Sequence, residues 1–257
     1  AVDQQPAGGQ VRADDGCVEV RTVDGKRFEA KAVICALPFS TLRHVRFDPL
    51  LAGAQQRAVA TLPHQMITQV ALRSKRPFWE QDGLPPSMWT DSQIGRVFAI
   101  YGGATDDEVS SLLVTAYGFK SAWLDRLGRE AAGRYVVAEM ERIRPAAKGA
   151  LSFAAYHSWT LDPFSAGDWA HFAPGTVTQF MPAMFQPHGR VHFCGEQTAV
   201  SARGMAGAME SGERAALEVA TRLTFIGAGP VGASTGRAQG FCSAGGVAGV
   251  AAGATGA

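Results

Sequence analysis

The chain has little cysteine, and none of it is paired by spacing. Cys17, Cys35, Cys194 and Cys242 are far apart and form no CxxC. That excludes a disulfide framework and argues against a metal site. Cys35 and Cys194 lie in apolar runs and read as reduced core thiols, as expected of a cytoplasmic protein. Net charge is also missing. Lys+Arg total 24 and Asp+Glu 23, a formal charge of +1. No concentrated basic face exists to neutralise phosphates, so nucleic acid is not an expected partner. No apolar run approaches the roughly 20 residues that cross a bilayer, so no membrane partner is expected. The first residues, AVDQQPAGGQ, lack the charged-then-apolar order of a secretory signal. No Ser-His-Asp or paired-carboxylate arrangement is evident. Finally, Thr224–Ala257 contains no acidic residue, and Arg237 is its only charge. More than half of it is Gly or Ala, too little apolar area to offset its ordering entropy. It is expected to be disordered or an artefact of the reading frame. Gly227-Ala228-Gly229-Pro230-Val231-Gly232 inside it matches GxGxxG. It lacks the following helix and later acidic residue of a dinucleotide loop, and Pro230 stands where that helix should start.

What is present suits an α/β chain with one large domain or two small ones. Its hydrophobic fraction, 46%, is ample for a core. Val18 to Ala36 reads as a hairpin turning at Asp24-Gly25, whose return arm ends in the apolar AVICALP. Residues 54–62 read as a short helix closed by Pro63. Strand-like runs follow at Met66–Leu72, Ser87–Thr90, Arg96–Tyr101, Leu112–Gly118 and Leu151–Trp159. Ser121 to Arg144 reads as one helix, capped by Ser121 and followed by Pro145. Residues 160–187, rich in Pro and Gly, read as loop.

The most informative stretch runs from Gly189 to Leu223, GRVHFCGEQTAVSARGMAGAMESGERAALEVATRL. Val191, Phe193 and Cys194 form a short strand, and Gly195-Glu196 ends it. After Gly204 the small residues Ala206, Gly207, Ala208, Ser211 and Gly212 recur at helical spacing, which lets a helix approach a backbone or flat ligand closely. Its first-turn amides and dipole favour negative charge in front of it.

This stretch resembles the C-terminal FAD motif of the flavin amine oxidase family, which includes monoamine, polyamine and L-amino-acid oxidases. Three other segments are similar to that family. They are VEVRTVDGKRFEAKAVICALPFSTLRHVRFDP at 18–49, MITQVALRSKRPFW at 66–79 and YHSWTLDPFSAGDWAHFAPG at 156–175. The similarity covers roughly residues 15–223. It implies an α/β two-domain FAD oxidoreductase with an α+β, mixed-sheet substrate domain. On that reading, residues 1–50 end the FAD domain and 51–160 form the substrate domain. Residues 161–223 carry the active-site loop and closing FAD strand and helix, and 224–257 form the disordered tail.

The resemblance also assigns roles. Gly195 and Glu196 lie near the flavin ribityl and pyrophosphate. Gly204, Met205 and Ala206 start the helix that faces the N1/C2 edge. Trp159 corresponds to the tryptophan packed near the flavin ring. Asp168 falls where monoamine oxidases carry the cysteine bonded to the flavin, and a carboxylate cannot form that thioether, so the FAD is expected to be non-covalent. Trp169 falls on the first aromatic of the substrate cage. The second falls near Gly204, so the two-ring cage is incomplete, which leaves room for a bulkier substrate. His44 is in the register of a lysine that holds a water near flavin N5, and imidazole can do the same. A one-residue slip through LRHVRFDP puts Arg43 there instead, and a structural histidine is the alternative.

Nothing before Val18 resembles the strand–GxGxxG–helix that holds the ADP part of FAD. The chain therefore reads as the C-terminal part of an amine oxidase that oxidises the C–N bond of an amine or amino acid to an imine. Its partners would be a small-molecule amine and an N-terminal FAD-binding half or subunit, and the reading is compatible with a homodimer. The rival readings are a carotenoid desaturase or protoporphyrinogen oxidase type of FAD enzyme, and a non-catalytic fragment.

Overall fold

A computed structural model describes residues 9–14, 16–227 and 248–250. The chain divides into two compact units, one of Ala1–His64 with Trp169–Ala257 and one of Gln65–Asp168. The fold class is mixed α/β, as the sequence indicates.

In the continuous unit, β6 (Ile67–Ser74), β7 (Met88–Trp89), β8 (Arg96–Tyr101), β9 (Val109–Tyr117) and β10 (Leu151–Ser158) form an antiparallel sheet. Its order is β10-β6-β9-β8-β7. Alternation puts Val70, Leu72, Val97, Leu112, Val114 and Ala116 on one face. They pack with Leu124 of α4 (Phe119–Leu127) and with Ala132, Val136 and Met140 of α5 (Arg129–Ile143). The single helix expected over Ser121–Arg144 is two. Gly128, at φ 76°, breaks it, a conformation that costs an L-residue with a Cβ. Ser121 is not the cap; Gly118 precedes α4, and the buried Ser121 hydroxyl lies 2.8 Å from Thr68 Oγ1. That contact belongs to a polar hub. Asp125 accepts from Thr68 (2.5 Å), Tyr156 (2.7 Å) and Ser158 (3.0 Å), joining α4 to two strands. Arg144, buried, is bound by Asp82 at the end of α3 (Phe78–Asp82) and by the carbonyl of Pro85.

The other unit holds two sheets. β1 (Gln10–Ala13), β2 (Val18–Arg21), β3 (Arg27–Ala30) and β5 (Arg46–Asp48) are ordered β3-β2-β1-β5, with β1 and β5 parallel. The expected hairpin turns at Asp24-Gly25, but its return arm divides. β3 ends at Ala30, and β4 (Val33–Cys35) leaves for a parallel sheet between β11 (Val191–Phe193) and β12 (Ala248–Val250). The core joins Val18, Val20 and Phe47 to Phe39 and Leu42 of α1 (Phe39–Leu42), Val59 of α2 (Gly53–Thr61) and Phe193. The loop expected over 160–187 contains α6 (Thr176–Met184), whose Phe180 and Met184 join this core despite Pro182. The last helix, α7 (Gly204–Gly227), is fastened to β11. Arg214 donates to the Phe193 carbonyl (2.8 Å) and to Glu218 (2.7 Å), and Glu218 also meets His192 (2.9 Å). Thr224–Gly227 thus extend α7, and Ala248–Val250 pair with β4. The rest of the expected disordered tail, with most of its GxGxxG match, lies outside the described residues.

Cys17, Cys35 and Cys194 form no disulfide among the described residues, and burial pushes Cys35 up to about 12. Among the described residues no His, Cys, Asp and Glu group could hold a metal, and no helix is long and apolar enough to cross a membrane.

Candidate functional site

The Gly195-Glu196 turn is shaped by its backbone. Gly195 sits at φ 113°, and a Cβ there would meet the Gln197 side chain at 2.7 Å. Ser211, buried one and a half turns further along α7 than Ala206, accepts from the Gly195 amide at 2.9 Å. Thr198 closes the turn from the other side, its amide donating to the Gly195 carbonyl at 2.9 Å. Glu196 is therefore aimed by two fixed neighbours. Its Oε1 accepts from the Ala170 amide, while its Oε2 is buried with no hydrogen-bond partner among the described residues. A buried, open-ended carboxylate oxygen has room for a further donor.

The loop before α7 is held by Glu210. Its carboxylate accepts from the amides of Val200 (2.9 Å) and Ala202 (3.0 Å) and from the Ser201 hydroxyl (2.7 Å). The Ser201 hydroxyl first, then these amides, hold its pKa at about 2. The loop lies so close to the helix that a Cβ on Gly207 would meet the Ala202 carbonyl at 2.7 Å. The small residue at 207 thus serves a contact with the protein's own loop. Gly204 is different: at φ 63° it faces open space. Met205 and Ala206 beside it are exposed. Trp169 is half-exposed, and its neighbour Ala170 is the residue tied to Glu196. Gly195, Glu196, the α7 start and Trp169 thus share one unit.

His44 lies in the same unit. It is exposed on the turn after α1, its amide bonded to the Thr41 carbonyl. Arg43, the alternative by a one-residue slip, is a strut. It donates to the carbonyls of Phe39 (3.1 Å) and Leu62 (2.8 Å), and burial lowers its pKa.

In the continuous unit, Trp159 follows β10. Its indole donates to Gln69 Oε1 at 3.0 Å and meets the His157 ring edge-on at 4.3 Å. Asp168 donates its amide to the Gln65 carbonyl. Its charge acts on Tyr117, whose phenol is raised mainly by burial and is also within reach of Arg96. Sequence reasoning missed Gln69, Ser211 and Glu210. The signal for Gln69 was its position two residues from Ile67 and Ala71, on the strand face away from the core. For Glu210 and Ser211 there was none, because most of their partners are backbone groups.

A model of the flavin containing amine oxidoreductase family matches residues 9–220. The chain belongs to that family. It is 30% identical over 207 residues to a flavin-containing amine oxidase of Danio rerio, a match covering 79% of this chain and 40% of that protein. Against the flavin-containing amine oxidase B of Sus scrofa the identity is 28%, with the same coverage. Among solved structures, the cyclohexylamine oxidase of Brevibacterium oxydans superposes with a TM-score of 0.71 at 21% identity, over 84% of this chain and 48% of that one. A putrescine oxidase variant gives 0.70 at 22% identity, over 83% and 48%. This amine oxidoreductase chain thus spans under half the length of these relatives.

Proposed function

We propose that this chain supplies the substrate domain and closing flavin contacts of an FAD-dependent oxidase that converts an amine to an imine, with oxygen or another acceptor taking the electrons. The observation that carries the reading is the buried, unpartnered Oε2 of Glu196 at a rigid glycine turn. A carboxylate oxygen there fits a polyol hydroxyl, which the ribityl chain of FAD offers. FAD, when bound, accepts the hydride equivalent. The protein's part is to position, to exclude water and to keep the amine unprotonated. Glu196 would accept from a ribityl hydroxyl. The amides opening α7 from Gly204 through Ala206 face negative charge. Trp159, fixed by Gln69, offers a flat apolar surface in the continuous unit, and Trp169 offers one in the other. We infer that the flavin is non-covalent, because Asp168 occupies the cysteine position of the family. The open space at Gly204, with flexible Met205 beside it, suits an amine bulkier than a two-ring cage admits. His44 is retained as a candidate water-holding group. The adenosine part of FAD would rest on a strand–GxGxxG–helix unit, which the described residues lack.

The test is co-expression with the FAD-binding half of a family member. The complex should be yellow, should bleach anaerobically with a productive amine and should release its flavin on acid precipitation. Glu196→Gln should weaken FAD binding at least about tenfold, the scale of one charge-assisted hydrogen bond. A complex that takes up no flavin, or a Glu196→Gln complex with unchanged FAD affinity, overturns the reading.

A further inference from the structure

The register of the five-stranded sheet places one residue from each strand in a single row. Trp89 pairs with Arg96, Arg96 with Thr115, Thr115 with Gln69, and Gln69 with His157. The row lies on the face away from α4 and α5, because Val97, Val114 and Val70 occupy the other. Every side chain in it is polar or aromatic. Gln69 holds Trp159, so this is the face that carries the proposed flavin-side tryptophan.

Arg96 is the unusual member. Its guanidinium carbon lies 3.6 Å from the Phe98 ring centroid and 4.3 Å from that of Trp89. Rings cover the faces of a guanidinium and leave its in-plane N–H groups available. Among the described residues the Arg96 guanidinium makes no hydrogen bond and no ion pair. Beside it in the row, the Thr115 hydroxyl is 1% exposed with no hydrogen-bond partner. A fixed cation with free in-plane donors, next to an unsatisfied hydroxyl, is a receptor for a planar anion.

We propose that Arg96 determines specificity by pairing with a carboxylate carried by the substrate, so that the preferred substrates are amines that also bear a carboxylate, with Thr115 as a second donor. A carboxylate fits better than a phosphate, because one guanidinium balances a single negative charge and binds two coplanar oxygens. This rests on the amine-oxidase reading above. A lone lysine would not serve equally, since it lacks the planar fork and the ring stacking.

Two measurements test it. In the FAD-loaded complex, phenylalanine is compared with phenethylamine, and leucine with 3-methylbutylamine. The carboxylate member of each pair should have the higher kcat/KM. Arg96→Leu should shrink the ratio within each pair at least about tenfold, chiefly through KM, and Arg96→Lys should restore part of it. Equal losses for both members of a pair would mark Arg96 as structural and overturn the proposal. The second measurement needs no activity. Calorimetric titration of the chain with benzoate, and with neutral benzamide as control, should show benzoate binding that Arg96→Leu and Thr115→Val each weaken. Benzoate binding that ignores both substitutions overturns the proposal, and Arg96→Met, neutral and of similar length, gives the same readout if Arg96→Leu does not fold. Benzoate binding that depends on Arg96, in a complex that oxidises no amine, sinks the oxidase reading and leaves the carboxylate site standing.

Discussion

Four of the strands in the Gln65–Asp168 unit, β6, β8, β9 and β10, are six to nine residues long and come from one continuous stretch of chain. The parallel sheet of the other unit is built from β4, β11 and β12, three residues each and separated by most of the sequence. The first sheet is backed by two helices and a core of buried Val, Leu and Ala. The second buries Val33, Cys35, Val191 and Phe193 in its own core and adds single clamps: Arg214 on the Phe193 carbonyl, Ser211 on Gly195, Glu210 on the loop before α7. Long local strands repay their ordering entropy by burial, whereas short distant ones need specific polar ties. The difference teaches where function is placed. The clamped unit shapes the Glu196 turn, and the well-packed unit can spare a whole sheet face for a polar row.

Residue distribution makes this comparison measurable. Trp79, Trp89, Trp123 and Trp159 lie in the continuous unit and only Trp169 outside it, whereas Cys17, Cys35, Cys194 and Cys242 all lie in the other. In urea, tryptophan fluorescence follows the first and thiol labelling the second. The largest effect expected is from Leu112→Ala, which removes a fully buried side chain from the five-stranded sheet. Loss of about 2–5 kcal/mol should lower the fluorescence midpoint, with Cys35 labelling shifted far less. Coincident shifts in both signals would show the two units to be one cooperative block and break the comparison.

Ser211→Ala is expected to act in the opposite sense and more weakly. It leaves the Gly195 amide without its acceptor, a cost of about 1–3 kcal/mol. Cys194, next to that turn and pushed up by burial, should become labelled at lower urea, with the fluorescence midpoint little changed. In the native chain at about pH 8, Cys35 should stay unmodified, since burial both shields it and disfavours its thiolate. Rapid labelling of Cys35 without denaturant would mean that β4 is not the protected centre of its sheet.

The same contrast decides what the sequence made legible. Alternation in ITQVALRS and RVFAIY marked β6 and β8, because burial on one face writes a period of two into the chain. β1 and β5, four and three residues long, carry too few alternations to stand out, and they are strands because they pair with each other. Ser121–Arg144 looked like one helix because the apolar spacing persists across Gly128, and only the positive φ there reveals the break. Within the candidate site, Glu196 and Gly195 were readable as a motif. The row from Trp89 to His157 was not, since it needs the cross-strand register.

The smallest expected effect tests whether the clamps are electrostatic. Glu210 is held at about 2, below its usual 4.5, by the Ser201 hydroxyl and the amides of Val200, Ser201 and Ala202. A carboxylate lowered in the folded state stabilises in its ionised form. Its contribution is complete above about pH 4.5 and is lost as the pH falls from there toward 2. Above that window, hydrogen exchange corrected for intrinsic rate should show Val200, Ser201 and Ala202 protected. Protection should fall through the window as the carboxylate takes up a proton. Glu210→Ala should show the unprotected rates at all pH values, because no acceptor remains. The Val114 and Leu112 amides on the packed sheet should not respond to either change, being held by strand pairing alone. Unchanged protection of residues 200–202 in Glu210→Ala would mean that Gly207 packing, and not the carboxylate, fixes this loop.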